Sequence, residues 1–365
     1  MASSSTQPGA TLNELILTPI MTLKGHEPFN HCYVSSMCYF PDGKQMISGL
    51  GDKTARRWNL RAGKEIEEAR EVCEQRVIAV EVSRDGQWIV IAGGDLNCGE
   101  LKVCEVKTGI VKTFEDPSRG EIDCIDISAD NTLLACRSND DTLRIWSLDT
   151  GKLSAGPFRN YNGLGMGTVR FSRDSKKLAF KSIVADWLDV WDIEIQKVDV
   201  RVGKKPNKCG VMSHVPMFWT TKDKTIVAVL DLNKNEDWTT DHKTIYELDA
   251  LTLKTVGAPF EGHTIKINGL ALSFDCALLA SASCLDIKLW AFESRQLLAS
   301  FDVRSVNYLI LSPDSHQLAY STLGSNIHIC DIPPKIIATI WPNTNEPKNS
   351  NILNVCDPYI HLRIH

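Results

Sequence analysis

The 365-residue chain lacks most of what a catalytic, membrane or metal-binding reading would need. Its twelve cysteines form no Cys-x-x-Cys pair; the closest are Cys32/Cys38 and Cys98/Cys104. Scattered single cysteines with no export signal read as reduced, buried, small apolar residues. A disulfide or zinc framework is therefore not expected. His31, His214, His242, His316 and His328 show no metal-ligand spacing, so no metal is expected. No apolar run approaches a membrane span. The net charge of -5 gives no basic footprint, which argues against nucleic acid as a partner. No Asn-x-Ser/Thr sequon occurs, and MASSSTQPGATLNELIL has no basic segment leading into an apolar core. The cytosol is the expected compartment, with the nucleus second. No Gly-x-Ser-x-Gly elbow is present. GLGMGT at 163–168 precedes a strand pattern where a dinucleotide site needs a helix, and the Gly-Lys pairs at Gly63, Gly151 and Gly203 lack the upstream glycine of a phosphate loop. No catalytic residue and no small-molecule cofactor are expected.

What the chain does have is a repeat. Seven strand-like runs end at Trp58, Cys104, Trp146, Trp191, Tyr246, Trp290 and Cys330, with spacings from 40 to 55 residues. Each follows a turn containing Asp: FPDGK at 40–44, SRDGQ at 83–87, SADNT at 128–132, SRDSK at 172–176, TKDKT at 221–225, SFDCA at 273–277 and SPDSH at 312–316. Asp followed by Gly, Asn or Ser is tight-turn chemistry. The flanking runs (VIAVEV, IDCIDI) alternate or are β-branched, which is strand patterning. No convincing amphipathic helix is read. Some units also open on Gly-His, as at Gly25-His26 and Gly262-His263.

Seven units of this length, with Gly-His openings and Trp-Asp-like endings, resemble the WD-repeat β-propeller family over residues 18–341. Only Trp191-Asp192 is a literal Trp-Asp pair. The resemblance implies an all-β fold, a seven-bladed β-propeller of four-stranded antiparallel blades, each unit giving the outer strand of one blade and the inner three of the next. It also implies a buried hydrogen-bonded chain of indole, hydroxyl, imidazole and carboxylate, matched by His26, Ser48, Asp52 and Trp58. Unit six keeps His263, Ser281 and Trp290, but Cys284-Leu285 stands where Asp is expected. Unit three keeps Asp140 and Trp146, with Cys136 for the hydroxyl and no Gly-His. The complete set is thus expected only in residues 26–58, which should form the most rigid blade. Trp58, Trp146, Trp191 and Trp290 are expected to be largely buried. Ser, His and Asp together could suggest hydrolysis, but a satisfied network that ties strands together is the stronger reading.

Residues 1–14 read as a disordered leader, 15–341 as the propeller and 342–365 as a polar tail. Residues 20–24 and 335–340 compete for the outer strand of the last blade. The N-terminal run is favoured because it leads straight into Gly25-His26. Glu81, Asp126 and Arg170 occupy matching positions of three consecutive inner strands, and an Asp126–Arg170 salt bridge between blades is expected. Two longer loops are candidate contact segments: 27–33 with Phe29, His31 and Tyr33, and 231–243 with Trp238. Lys204 and Lys205 sit in a basic loop that suits an acidic partner or RNA. The favoured function is a non-catalytic protein-interaction scaffold with other proteins or peptides as partners. Trp58-Asn59-Leu60-Arg61 resembles the Trp-Asp-x-Arg signature of ubiquitin-ligase substrate receptors, the first alternative. An enzyme with carboxylates at the channel mouth, using Glu81 and Asp126, is the second.

Overall fold

The computed structural model describes residues 16–26, 34–66, 70–115, 119–159, 166–182, 187–203, 215–232 and 242–342. The described residues form seven antiparallel blades in a propeller ring, with one short helix among them. Blade 1 spans residues 34–71, blade 2 76–114, blade 3 122–159, blade 4 166–203, blade 5 218–260, blade 6 267–301, and blade 7 308–331 together with 19–23. Phe29, His31, Tyr33, Trp238, Lys204 and Lys205 lie outside the described residues, as do residues 1–14 and most of the tail.

The second strand of each blade is covered on both faces by its neighbours. It therefore reads as a continuous buried run instead of an alternating one. All six residues of Leu278–Ser283 are buried, and five of six in Leu133–Ser138. Outer strands such as Lys197–Gly203 are largely exposed. Two blades modify the plan. In blade 1 the outer strand is split into Lys64–Glu65 and Arg70–Glu71, both paired to Thr54–Asn59. In blade 5 the fourth position is reduced to the bridges Ile245↔Phe260 and Leu248↔Thr255.

The ring closes through Pro19–Leu23, which pairs antiparallel with Ile327–Asp331 (Thr22↔His328). Residues 335–340, read from the sequence as a rival strand, belong instead to the helix Pro334–Ile340. The edge it would have needed is already occupied. Pro333 and Pro334 also remove ladder donors while suiting a helix start. The helix buries Ile336 in the cluster that holds Leu17, Leu318 and Tyr320. Trp341 follows it and donates from Nε1 to Asp275 Oδ2 at 2.6 Å.

The chain direction separates two faces. Strand Val34–Tyr39 starts beside Gly25-His26 and runs to the turn at 40–44; the next strand returns to the Gly-His face. All seven Asp-containing turns therefore lie on the opposite face. Each has a residue in the left-handed region: Gly43, Gly86, Asn131, Ser175, Asp223, Cys276 and Ser315. This corrects the sequence register in blade 5. There the turn closes from Thr220, so Lys222 takes the slot that Asp holds in the other six, and Asp223 takes the left-handed slot.

These left-handed residues answer the neighbouring blade. Asn131 Oδ1 accepts the N–H of Arg84 at 2.9 Å, and Ser175 Oγ accepts that of Asp130 at 3.2 Å. Asp223 accepts the N–H groups of Arg173 and Asp174 at 2.7 and 2.9 Å. Where the neighbour offers Pro41 or Pro313, which have no N–H, the facing residue is Gly86 or Gly43.

Candidate functional site

Two buried chains of hydrogen bonds run through the Gly-His side of the ring. In blade 1, Trp58 Nε1 donates to Ser48 Oγ at 2.8 Å. An indole can only donate, which leaves the hydrogen of Ser48 free to go to His26 Nε2, also at 2.8 Å. That leaves the Nδ1–H of His26 to donate to Asp52 Oδ2 at 3.1 Å. Thr54 Oγ1 donates to Asp52 Oδ1 at 2.6 Å. Burial works to raise the Asp52 carboxyl, but the bonds from His26 and Thr54 outweigh it and hold it below its ordinary value. The glycine before the histidine has a packing reason: a Cβ on Gly25 would sit 3.0 Å from Trp58.

Blade 6 carries the same chain in full, against the sequence expectation. Trp290 Nε1 donates to Ser281 Oγ at 2.9 Å, Ser281 meets His263 Nε2 at 2.7 Å, and His263 Nδ1 meets Asp286 Oδ1 at 2.7 Å. The carboxylate was displaced in the sequence, not lost. The turn contracts to 283–286, closed by Ser283 N–H on the Asp286 carbonyl at 2.9 Å, and this brings Asp286 to the imidazole in place of Cys284-Leu285. Ser283 Oγ at 2.6 Å and Lys288 Nζ at 2.8 Å complete its shell. Burial opposes ionisation of Asp286, but His263, Lys288 and Ser283 hold its carboxyl well below the usual range. Residues 26–58 are therefore not the sole complete set.

In blade 3, Trp146 Nε1 donates to Cys136 Sγ at 3.1 Å. Asp140 accepts from Thr142 Oγ1 and, at 3.1 Å, from Arg119 N–H. In blade 4, Trp191 is partly buried and packed against the core, and its indole N–H has no hydrogen-bond partner among the described residues. Trp187, earlier on the same strand, takes the buried position at 3% exposure. Trp58, Trp146 and Trp290 are buried.

Near the axis, Arg170 bonds Asp126 Oδ1, and its Nη1 lies 3.5 Å from Glu81 Oε2. Asp126 Oδ2 accepts Phe171 N–H at 2.6 Å, and Cys38 Sγ lies 3.5 Å from Glu81 Oε1. Three inner strands of blades 2, 3 and 4 are thereby tied together. Burial pushes Glu81 and Asp126 up, with Arg170 opposing. A cavity of about 240 Å³ opens here, lined by Cys38, Glu81, Arg170, Phe218 and Tyr308 among apolar residues. Burial raises the Cys38 thiol, and Glu81 raises it further; Cys124 is pushed up to about 11. Thiols held protonated in this way are poor nucleophiles at neutral pH.

Chemically, the Ser-His-Asp sets cannot act on a substrate as they stand. Ser48 and Ser281 are fully buried, and each hydroxyl is already bound by indole and imidazole. Among the described residues, no cluster of three or more His, Cys, Asp or Glu has the geometry to hold a metal ion. Sequence reasoning missed Asp286, which lies two residues beyond the expected slot. It also missed Arg84 and Arg173 at the opposite mouth, where the signal was simply the residue preceding Asp in each turn.

The profile of the WD domain, G-beta repeat matches residues 17–59, 109–147 and 254–291. These are the units that end in blades 1, 3 and 6, where the tryptophan N–H finds its acceptor. Periodic tryptophan protein 2 of Arabidopsis thaliana is 26% identical over 160 residues, which is 44% of this chain and 17% of that protein. The guanine nucleotide-binding protein subunit beta of Zea mays is 26% identical over 136 residues, 35% of this chain and 34% of that protein. Its counterpart from Oryza sativa subsp. indica is 25% identical over the same length. The aligned stretch thus spans about a third or less of the curated relatives it matches. Three matched repeats and a closed ring of seven blades together support a WD-repeat β-propeller, the family that the sequence resembles.

Proposed function

We propose that this chain is a protein-interaction scaffold of the cytosol or nucleus, with its contact surface on the Gly-His face. One observation carries the reading. The groups that could perform chemistry are spent on holding the ring together: both Ser-His-Asp sets are sealed inside blades, and the channel carboxylates share Arg170. What remains to offer a partner is a rigid surface with loops of unequal length. Two of these, 27–33 and 231–243, fall on the Gly-His side by chain order. That two relatives are named as subunits of a larger assembly supports the same reading.

The test is affinity purification with mass spectrometry from the native cell. The wild-type chain is compared with a variant in which 27–33 and 231–243 are replaced by Gly/Ser linkers of equal length. Loss of captured proteins by a variant that melts like wild type supports the surface. Retention of every partner overturns it. Ubiquitin-ligase components among the lost proteins would sharpen the scaffold into a substrate receptor, the role to which Trp58-Asn59-Leu60-Arg61 points. Turnover of a substrate by the purified protein at enzymic rates would overturn the scaffold reading itself.

A further inference from the structure

The opposite mouth of the channel has its own chemistry. In each Asp-containing turn, one residue precedes the Asp slot. Around the ring these are Pro41, Arg84, Ala129, Arg173, Thr221, Phe274 and Pro313. The two cations, from blades 2 and 4, flank the smallest side chain of the ring, Ala129 of blade 3.

Neither arginine closes a direct ion pair among the described residues, although Asp126 lies within electrostatic reach of Arg84, and Asp223 and Asp275 within reach of Arg173. Arg84 is exposed, and its backbone N–H is held by Asn131. Arg173 reaches over blade 5 and donates from Nη2 to the carbonyl of Phe274 at 2.8 Å, with its guanidinium 4.5 Å from the centre of that ring. The nearest carboxylates are already occupied. Asp223 accepts two backbone N–H groups, and Asp275 accepts Ser273 Oγ and Trp341 Nε1. Burial, and then the like charge of Arg84, hold Arg173 below its ordinary value despite those carboxylates. Two guanidinium groups on one mouth, one exposed and one laid over Phe274, neither closed into a direct ion pair, leave positive charge there for an anionic group.

The surroundings narrow the kind of anion. Six of the seven turns carry Asp just outside this ring, and the exception, Lys222, lies in the turn next to Arg173. A long polyphosphate would cross several of those carboxylates; a short segment with one or two acidic side chains need not. The other side of the mouth is apolar: Phe274 is 59% exposed, and the cavity inside is lined by Pro313, Leu272 and Leu311. We infer that the turn-side mouth of the channel binds an acidic peptide segment, its carboxylates on Arg84 and Arg173 and a neighbouring apolar side chain against Phe274 and Pro313. This surface is distinct from the Gly-His face and does not depend on it.

The test uses the full chain and fluorescence anisotropy with a short fluorescein-labelled peptide alternating Glu with Leu, against its Gln counterpart. The acidic peptide should bind at least about tenfold more tightly than the Gln peptide, and more weakly as salt rises. The double variant Arg84→Ala/Arg173→Ala should lose that preference. Arg84→Ala alone removes an exposed side chain. It should weaken binding severalfold with an unchanged melting temperature, so a folding defect from losing the Arg173–Phe274 contact cannot hide the answer. Equal affinity for the two peptides, or an unchanged Arg84→Ala variant, would overturn the inference. So would a single-stranded oligonucleotide binding more tightly than the acidic peptide.

Discussion

Blades 6 and 4 solve the same problem by different means. In blade 6 a tryptophan, a serine, a histidine and an aspartate occupy one another's hydrogen-bonding capacity, so the interior is polar and satisfied. In blade 4 the indoles of Trp187 and Trp191 have no acceptor among the described residues, and aromatic packing takes over: Phe180 lies 5.4 Å from both rings, and Phe158 lies 4.7 Å from Trp191. Charge is handled differently too. Asp189 is bound by Arg201, and Lys181, fully buried, donates to the carbonyl of Val215 at 3.0 Å, just before blade 5. The contrast teaches that the repeat constrains what must be buried and closed, and leaves the means open. A hydrogen-bonded chain specifies geometry; an aromatic cluster supplies area.

The comparison breaks most sharply at His263. Replacing it by Ala leaves the Ser281 hydroxyl and the Asp286 carboxylate without their shared partner and opens a cavity. The expected cost is about 3–4 kcal/mol, read from chemical denaturation at pH 7. A cost below about 1 kcal/mol would mean that the chain contributes little. A second, smaller effect separates the tryptophans. Trp58→Phe removes a made hydrogen bond, whereas Trp191→Phe removes an N–H that has none among the described residues. Trp58→Phe should therefore cost about 1–2 kcal/mol more. Equal costs would show that packing, not the bond, sets the value of the indole.

A third contrast is in pH, where the two blades should respond at opposite ends of the range. The carboxyl of Asp286 is depressed in the folded chain. Its stabilisation is full above the unfolded value of about 4 and disappears as pH falls through the folded value. The melting-temperature gap between wild type and Asp286→Asn should hold from pH 7 to 5 and narrow below about 4. Lys181 is lowered by burial, and further by Lys266, to about 7. The unfolded chain then binds the extra proton between about 7 and 10, so this residue makes stability rise with pH in that window. Lys181→Met should flatten that rise, and a rise that persists unchanged in the variant would remove Lys181 as its source.

Much of the fold was legible because its cause is periodic. Anchors such as Trp58, Trp146 and Trp290 recur with turns at a fixed offset, and seven copies outweigh the failures of any one. What was not legible depended on local exchanges. Asp286 was missed because a contracted turn brings a carboxylate from two residues further on to the same imidazole. Asp223 looked like its counterparts in sequence, yet the closure from Thr220 moves it to the left-handed slot. Residues 335–340 have the composition of the strand at 296–301, but no open edge was left for them. Trp191, in the literal Trp-Asp pair, is partly buried because the strand also carries Trp187, which fills the interior. The pairing of Arg170 with Asp126 and Glu81 could be expected from matching strand positions; the placing of Arg84 and Arg173 at one mouth needed the ring of turns in three dimensions.

The closing strand has a mechanical consequence. Pro19 pairs with Cys330 and Leu23 with Ile327, so the chain arrives at 19 and departs at 331 from the same end of the joint. Tension applied between the segments flanking that joint would load its bonds one after another, starting at Pro19–Cys330, as a zipper is drawn. The clasp of the ring would yield to a pull on its two ends at lower force than to a load applied along the strands, which must break all the pairs at once.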